Sequence, residues 1–343
     1  MTFRWYGKED PISLACIRQI PNLSGVVTAV YDTPVGTAWS EKSVSELQMQ
    51  CHENGLEMEV IESVPVHEDI KRGTPKRDQY IAAYQQTIRL LAKYGVKCIC
   101  YNFMPVFDWV RTNLARKGRD GSESLSYSHQ EILQKDPHAL SLPGWDQSYT
   151  QAELSDLLKA YQKIDHRQLF DNLVYFLRAI IPVCEEVGIQ MAIHPDDPPW
   201  DLFGLPRIVS CQADYEKLFE AVPSQVNGIT FCSGSLGASP ENDLCKMAYT
   251  YAKDGRIPFV HLRNIRREGV HDFYECGHLS SSGSLDLFAI VQALCDGGFN
   301  GYVRPDHGRN IWGESGKPGY GLYDRALGAA YLNGLFEAVE KSK

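Results

Sequence analysis

Four residues far apart in the chain have side chains that could meet at one metal ion. They are His194, Cys232, His261 and Asp306, and each closes a short apolar run: QMAIHPDD (190–197), GITFCSGS (228–235), PFVHLRN (258–264) and GYVRPDH (301–307). Imidazole, thiolate and carboxylate together suit a divalent transition metal, and a soft sulfur beside two nitrogens disfavours magnesium or calcium. A lone strand histidine is more often a satisfied core group, and a lone cysteine a buried thiol. The repeated placement at strand ends is what turns four weak signals into a site. A closed four-ligand set would be a structural zinc, whereas a metal at an open mouth could still take substrate oxygens. His307 follows Asp306 but points to the opposite face of the strand, beyond the metal, where it could exchange protons. The glycine-rich stretch RNIWGESGKPGYG (309–321) reads as a mobile loop able to carry Tyr320 to the same place, unless Tyr320 simply packs the last helix. Asp196, Asp197 and Arg207 flank the His194 run and either position substrate or cap the turn.

These residues need a frame that brings strand ends together. The sequence predicts strands at Gly25–Val30, Leu56–Ser63 and Val96–Phe103, then the His194, Cys232 and His261 runs as strands four, five and six. His271–Cys276 reads as strand seven and the Gly301 run as strand eight. Amphipathic helices are predicted between them, at about 43–54, 78–94, 169–187, 214–221, 240–253 and 285–296, with a closing helix at 323–340, several of them stopped by glycine. Eight such alternations without a terminal domain predict an α/β protein, a single (β/α)8 TIM barrel over 1–343, whose site lies at the carboxyl ends of the strands. The rhythm breaks between Met104 and Asp165. A structureless loop of that length is uncommon in a compact domain, so 104–165 is expected to be a cap or lid inserted after strand 3, with a helix at 151–161. Asp108, Trp109 and Arg111 in this insertion, with Arg263 and Asn264 after the His261 strand, are the candidate substrate contacts; the alternative for the lid residues is plain solvation.

The 343 residues are 43% apolar and 22% charged, ordinary for a globular chain. No apolar run reaches the roughly 18 residues of a membrane span, and the polar start MTFRWYGKEDP is no signal peptide. Ten scattered cysteines, none in paired metal or redox spacing, point to a reducing cytoplasm. A net charge of −9 argues against nucleic acid as partner. A bound cation could still make the site attractive to a small anion.

With these residues assembled, the chain resembles the bacterial mannonate dehydratase family of the xylose-isomerase-like barrels. The resemblance runs through TFRWYG (2–7), VIESVPVHEDIK (60–71), ICYNFMPVFDW (99–109), AIHPDDPP (192–199), FVHLRN (259–264) and RPDHGR (304–309). It implies a cytoplasmic hydro-lyase that converts D-mannonate to 2-dehydro-3-deoxy-D-gluconate in hexuronate (glucuronate) breakdown, with Mn2+ or Fe2+ as cofactor. It further implies His194, Cys232, His261 and Asp306 as metal ligands and His307 and Tyr320 as the proton-transfer pair. A phenolate base would need the Tyr320 pKa lowered from about 10, which a nearby cation could do. The anionic sugar acid is then the partner, without nucleic acid or membrane, and a two-fold homodimer is the default assembly. The runner-up is a metal-dependent sugar isomerase or epimerase on the same barrel. An abasic-site endonuclease would want more carboxylates and a basic groove, and a zinc-stabilised binding module would unfold on chelation.

Overall fold

The computed structural model describes residues 1–137 and 150–343, and part of the expected 104–165 insertion therefore lies outside the described residues. Eight strands run parallel in the order β1 (Thr2–Arg4), β2 (Gly25–Thr28), β3 (Glu57–Glu62), β4 (Cys98–Tyr101), β7 (Gln190–Ile193), β8 (Asn227–Cys232), β9 (Phe259–His261) and β12 (Tyr302–Arg304). At the seam between β1 and β12 the Thr2 hydroxyl donates to the Val303 carbonyl at 2.9 Å, leaving a nearly closed TIM-like barrel. A second, antiparallel sheet joins β5 (Asn113–Lys117), β6 (Glu123–Tyr127), β10 (Asn264–Arg267) and β11 (Phe273–Cys276).

Two predicted strands need correction. The first barrel strand is Thr2–Arg4, at three residues too short for an alternation signal and absent from the expected eight. The expected seventh strand is β11, which pairs antiparallel with β10 and β6. Physics could have excluded it from the barrel: a parallel neighbour needs a crossover of a dozen or more residues, and only a tight turn separates Arg267 from Phe273. His194, Cys232, His261 and Asp306 thus stand at the ends of barrel strands five, six, seven and eight rather than four, five, six and eight.

The helices start where short polar side chains can hold their free backbone N–H groups. Ser13, Ser40, Asp165, Asp243 and Asp286 each accept from the first turn of the helix that follows. Helix His166–Val187 ends on Gly188 in the left-handed conformation (φ 73°), a stop that a glycine adopts without a Cβ penalty. Its inward face carries Phe176, which packs edge-on to Tyr84 and Tyr101 with ring centroids 5.1 and 6.0 Å apart. That packing fastens the helix across β4 and beside β7. Inside the barrel the filling is small and mostly apolar: Val27, Val60, Cys98, Cys100, Ala192 and Phe259. Cys98 and Cys100 are therefore core, as their shared strand face predicts. Between β4 and β7 the chain forms the β5–β6 hairpin and the helices His129–Leu133 and Gln151–Tyr161, the second at its predicted bounds. Among the described residues no helix is long and apolar enough to cross a membrane.

Candidate active site

Strand register assembles the site. Arg4, Glu62, Cys232, His261 and Arg304 are the last residues of β1, β3, β8, β9 and β12, and Cys232, His261 and Arg304 are direct partners across three adjacent strands. His194 follows β7, with its Nδ1 2.7 Å from the Pro195 carbonyl. The result is one cluster in which ligand atoms of His194, Cys232 and His261 all lie within 4.8 Å of one another. Asp306 joins its edge, with Oδ1 3.7 Å from His261 Nδ1 and Oδ2 3.7 Å from Cys232 Sγ. In this arrangement Asp306 also pairs with Arg304 and Arg263, each at 2.7 Å.

The electrostatics suit a cation. Burial alone would raise the Cys232 thiol, but the Arg263 guanidinium and the neighbouring His194 and His261 rings hold it well below the usual thiol range. Burial likewise disfavours the His194 imidazolium, yet the Cys232 sulfur and Asp306 together lift it to about 9. A thiolate and a carboxylate thus stand among histidines, and His261 Nδ1 is buried without a hydrogen-bond partner. Such an orphaned nitrogen is costly unless something binds it. Nitrogen, sulfur and carboxylate donors of this kind fit a transition metal. A second cluster, Glu62, Cys100 and His261, lies deeper. Arg304 already fills it, donating to His261 Nε2 at 2.9 Å and to Glu62 Oε1 at 3.0 Å, and burial pushes the Cys100 thiol well up.

Beside these residues runs a buried chain of proton carriers. His307 Nδ1 lies 2.9 Å from Glu275 Oε1, and His307 Nε2 lies 2.9 Å from the Tyr320 hydroxyl. Burial raises the Glu275 carboxyl, but Arg263, His307 and Arg111 outweigh it and bring the group down to about 2. An ionised carboxylate can only accept, so His307 Nδ1 donates to Glu275 and Nε2 is left to accept from Tyr320. Tyr320 itself is pushed up to about 12 by burial and by Asp306, with Arg304 opposing. Among the protein groups alone, burial and Asp306 therefore keep Tyr320 a phenol that can donate to His307 Nε2. The loop carrying it is also fastened, since Gly308 N donates to the Gly319 carbonyl at 2.9 Å and Asn310 bridges Glu123 of β6. Gly319 has φ 78°, and a Cβ there would press on Leu125 of β6.

The depressed Glu275 carboxyl predicts acid lability. Its folded value lies below the ordinary 4.5, so its stabilisation is complete above that pH and is lost as pH falls towards about 2. A shift of this size is worth about 3 kcal/mol. Urea midpoints measured at pH 5 and pH 3 should fall steeply in the wild type. They should fall less in Glu275→Gln, which starts lower because it leaves Arg111 and Arg263 short of a buried partner. Equal pH slopes in the two proteins would contradict this account.

A cavity of about 670 Å³ opens onto these groups, lined among others by Arg4, Tyr6, Glu62, Asp108, Trp109 and Asn102 with His194, Asp306, His307 and Tyr320. Of the expected substrate contacts, Asp108 and Trp109 face it. Arg111 does not: it is fully buried, bidentate to Asp197 at 2.7 and 3.0 Å and bonded to Glu275 at 2.9 Å. Nor does Asn264, whose amide braces the Leu279 and Leu285 carbonyls and whose oxygen accepts from Leu285 N. Arg263 sits behind the metal cluster, its nitrogens held by Asp197, Glu275 and Asp306, and a Cβ at Gly234 would collide with it. Asp196 and Arg207 cap their own turn: Asp196 accepts from Ile208 and Val209 N, and Arg207 holds the Phe107 carbonyl. Asp197 is instead part of the buried network.

The family model described as D-mannonate dehydratase (UxuA) matches residues 1–343. The chain belongs to the D-mannonate dehydratase family. Mannonate dehydratase 2 of Halalkalibacterium halodurans is 53% identical over 341 residues, covering 99% of each chain. The mannonate dehydratase of Thermotoga petrophila is 52% identical over 355 residues, covering 100% of this chain and 98% of that one. The crystal structure of mannonate dehydratase from Streptococcus suis serotype 2 superposes with a TM-score of 0.94 at 47% identity, over 100% of this chain and 95% of that one. An L-ribulose 3-epimerase structure, at 12% identity and TM-score 0.59 over 100% and 96%, shares the fold alone. Family membership makes the chain a hydro-lyase acting on mannonate and sets aside the neutral-sugar isomerase or epimerase reading. Arg4, Tyr6, Glu62, Asn102 and Glu275 escaped the residue-level reading of this dehydratase. Arg4 and Tyr6 lie in the TFRWYG run, Glu62 in VIESVPVHEDIK and Asn102 in ICYNFMPVFDW, runs that drew notice only by resemblance. Glu275 lay on a strand assigned to the wrong sheet.

Proposed function

We propose that the chain dehydrates D-mannonate to 2-dehydro-3-deoxy-D-gluconate with a manganese or ferrous ion held by His194, Cys232, His261 and Asp306. The observation that carries this reading is the convergence of two imidazoles and a thiolate within one coordination sphere, directly beside the hydrogen-bonded His307–Tyr320 pair. Bound there, the metal would supply Lewis acidity to the negative charge that builds next to a carboxylate when the carbon 2 proton leaves.

The protein's own groups divide the rest. His307 Nε2 is the atom that can hold an additional proton, because Glu275 keeps the opposite ring nitrogen as a donor. The Tyr320 hydroxyl is the atom that gives one, being the O–H already hydrogen-bonded to His307 Nε2. Elimination needs one proton accepted from carbon 2 and one delivered to the hydroxide leaving carbon 3, and this pair provides both functions in one hydrogen-bonded unit. Tyr6, which hydrogen-bonds Tyr320 and packs edge-on to it at 5.0 Å, fixes the phenol from the other side. The ten free thiols, many buried, fit residence in the reducing cytoplasm.

The test is formation of 2-oxo acid from D-mannonate by protein stripped with a chelator and then resupplied with Mn2+ or Fe2+. Stripped protein should stay folded by circular dichroism and turn over at less than about 1% of the resupplied rate, as expected when a Lewis acid worth several kcal/mol is removed. Full activity of rigorously metal-free protein would remove the metal from the mechanism. Unfolding on chelation would instead make the site a structural one.

A further inference from the structure

Arg4, the last residue of β1, is 6% exposed at the mouth of the barrel. A buried cation is tolerated when anions and hydrogen bonds replace its lost water. Arg111 and Arg263 meet that requirement through Asp197 and Glu275. Arg4 does not. Its Nε and Nη1 are buried without a hydrogen-bond partner, and its ion pair to Glu62 Oε2 is long, at 3.7 Å. Glu62 Oε1 accepts from Arg304 at 3.0 Å, and Oε2, the oxygen that faces Arg4, stands beyond hydrogen-bond reach of the guanidinium. On its other side the guanidinium stands over the Tyr6 ring, 4.7 Å from the centroid, which offers no lone pair to an N–H in its plane.

The position of this unpaired cation is informative. Arg4 lines the catalytic cavity and also a neighbouring one of about 790 Å³, which shares Ser63, Asn102 and Asp108 with the first. It therefore stands at the neck between the two, next to Tyr6 and one ring away from Tyr320. A guanidinium's planar fork matches a carboxylate in two parallel hydrogen bonds. The substrate is a sugar acid with one carboxylate, attached to the carbon that loses its proton.

We propose that Arg4 binds the carboxylate of the sugar acid and thereby selects acids over neutral polyols of the same length. This rests on the cavity being where mannonate is dehydrated. The unmet N–H groups then find their acceptors only in the complex, so the burial cost is borne by the free protein and recovered on binding. Charge that spreads onto the carboxylate as the carbon 2 proton leaves strengthens the same contact.

The experiment compares metal-loaded wild type with Arg4→Gln and Arg4→Lys, using calorimetric titration with D-gluconate and D-mannitol and steady-state kinetics on D-mannonate. Arg4→Gln should weaken gluconate about 10- to 100-fold, raise KM for mannonate by a similar factor and leave mannitol binding unchanged. Arg4→Lys should recover part of the loss, keeping charge without the fork. Thermal stability of Arg4→Gln should change little, because the pair to Glu62 is long and Glu62 keeps Arg304 and His261 as partners. Unchanged gluconate affinity, equal losses for gluconate and mannitol, or a lower Tm with unchanged KM would each overturn the assignment. A His307→Gln control separates the two levels. If it keeps full turnover, the cavity itself has been misread. If it is inactive while Arg4→Gln binds gluconate normally, Arg4 alone has been misassigned.

Discussion

Replacing His307 by glutamine should lower kcat on D-mannonate by about 10²- to 10⁴-fold while metal content stays near wild type. The expectation follows from which atom is lost. Glutamine can still accept Tyr320 or donate to Glu275, so the buried network is largely satisfied, but its amide cannot take up a proton as Nε2 can. Tyr320→Phe should cost a comparable factor by the complementary route: it keeps the ring packed against Tyr6 and His307 and deletes the O–H aimed at Nε2. Because the two groups act as one proton-carrying unit, the double variant should be scarcely worse than the poorer single one. Steady-state kinetics on metal-reconstituted protein decide the matter. Near-normal turnover in either single variant would end the assignment, and multiplicative losses would show two independent groups.

Cys232→Ser should lose bound metal and, with it, at least about 10²-fold in turnover, with little change in fold. The sulfur lies fully buried at the end of β8, where Arg263 and the two histidines favour the thiolate. A serine hydroxyl fills nearly the same space and can keep the bond to Ser235, but it stays protonated and offers a hard, weak donor. Affinity for Mn2+ or Fe2+ should therefore fall, and what remains should shift towards harder ions. Metal content after dialysis, measured alongside activity and thermal melting, is the check. A variant that retains a full complement of metal and near-normal kcat would remove Cys232 from the coordination sphere. One that melts far below wild type would mark the sulfur as a packing element.

The barrel and the residues that could hold a metal were legible in the sequence because both follow from local patterns. Alternating strands and amphipathic helices specify a ring of parallel strands, and a polar residue at the close of an apolar run must emerge at the ring's carboxyl face. That reasoning pointed to His194, Cys232, His261 and Asp306, with His307 beside them, whereas Tyr320 was named from a glycine-rich loop. Asp108 and Trp109, named from the insertion, line the cavity. It failed where pairing partners decide the outcome. Thr2–Arg4 is a strand only because Gly25–Thr28 is there to receive it, and Phe273–Cys276 leaves the barrel because Asn264–Arg267 claims its edge.

Charge partners were equally invisible. An arginine in a sequence carries no sign of whether its guanidinium is spent on close carboxylates, like Arg111 and Arg263, or holds N–H groups without a hydrogen-bond partner, like Arg4. The sequence by itself determined the fold class and the donor types, which depend on residue identity and periodicity, and its resemblance to a known family supplied the reaction. Only the tertiary structure decided which nitrogen of His307 accepts, which groups surround the Tyr320 phenol and which guanidinium keeps N–H groups without an acceptor. Those properties are set by distances of a few ångströms between groups far apart in the chain, at burial where each unmatched charge is expensive.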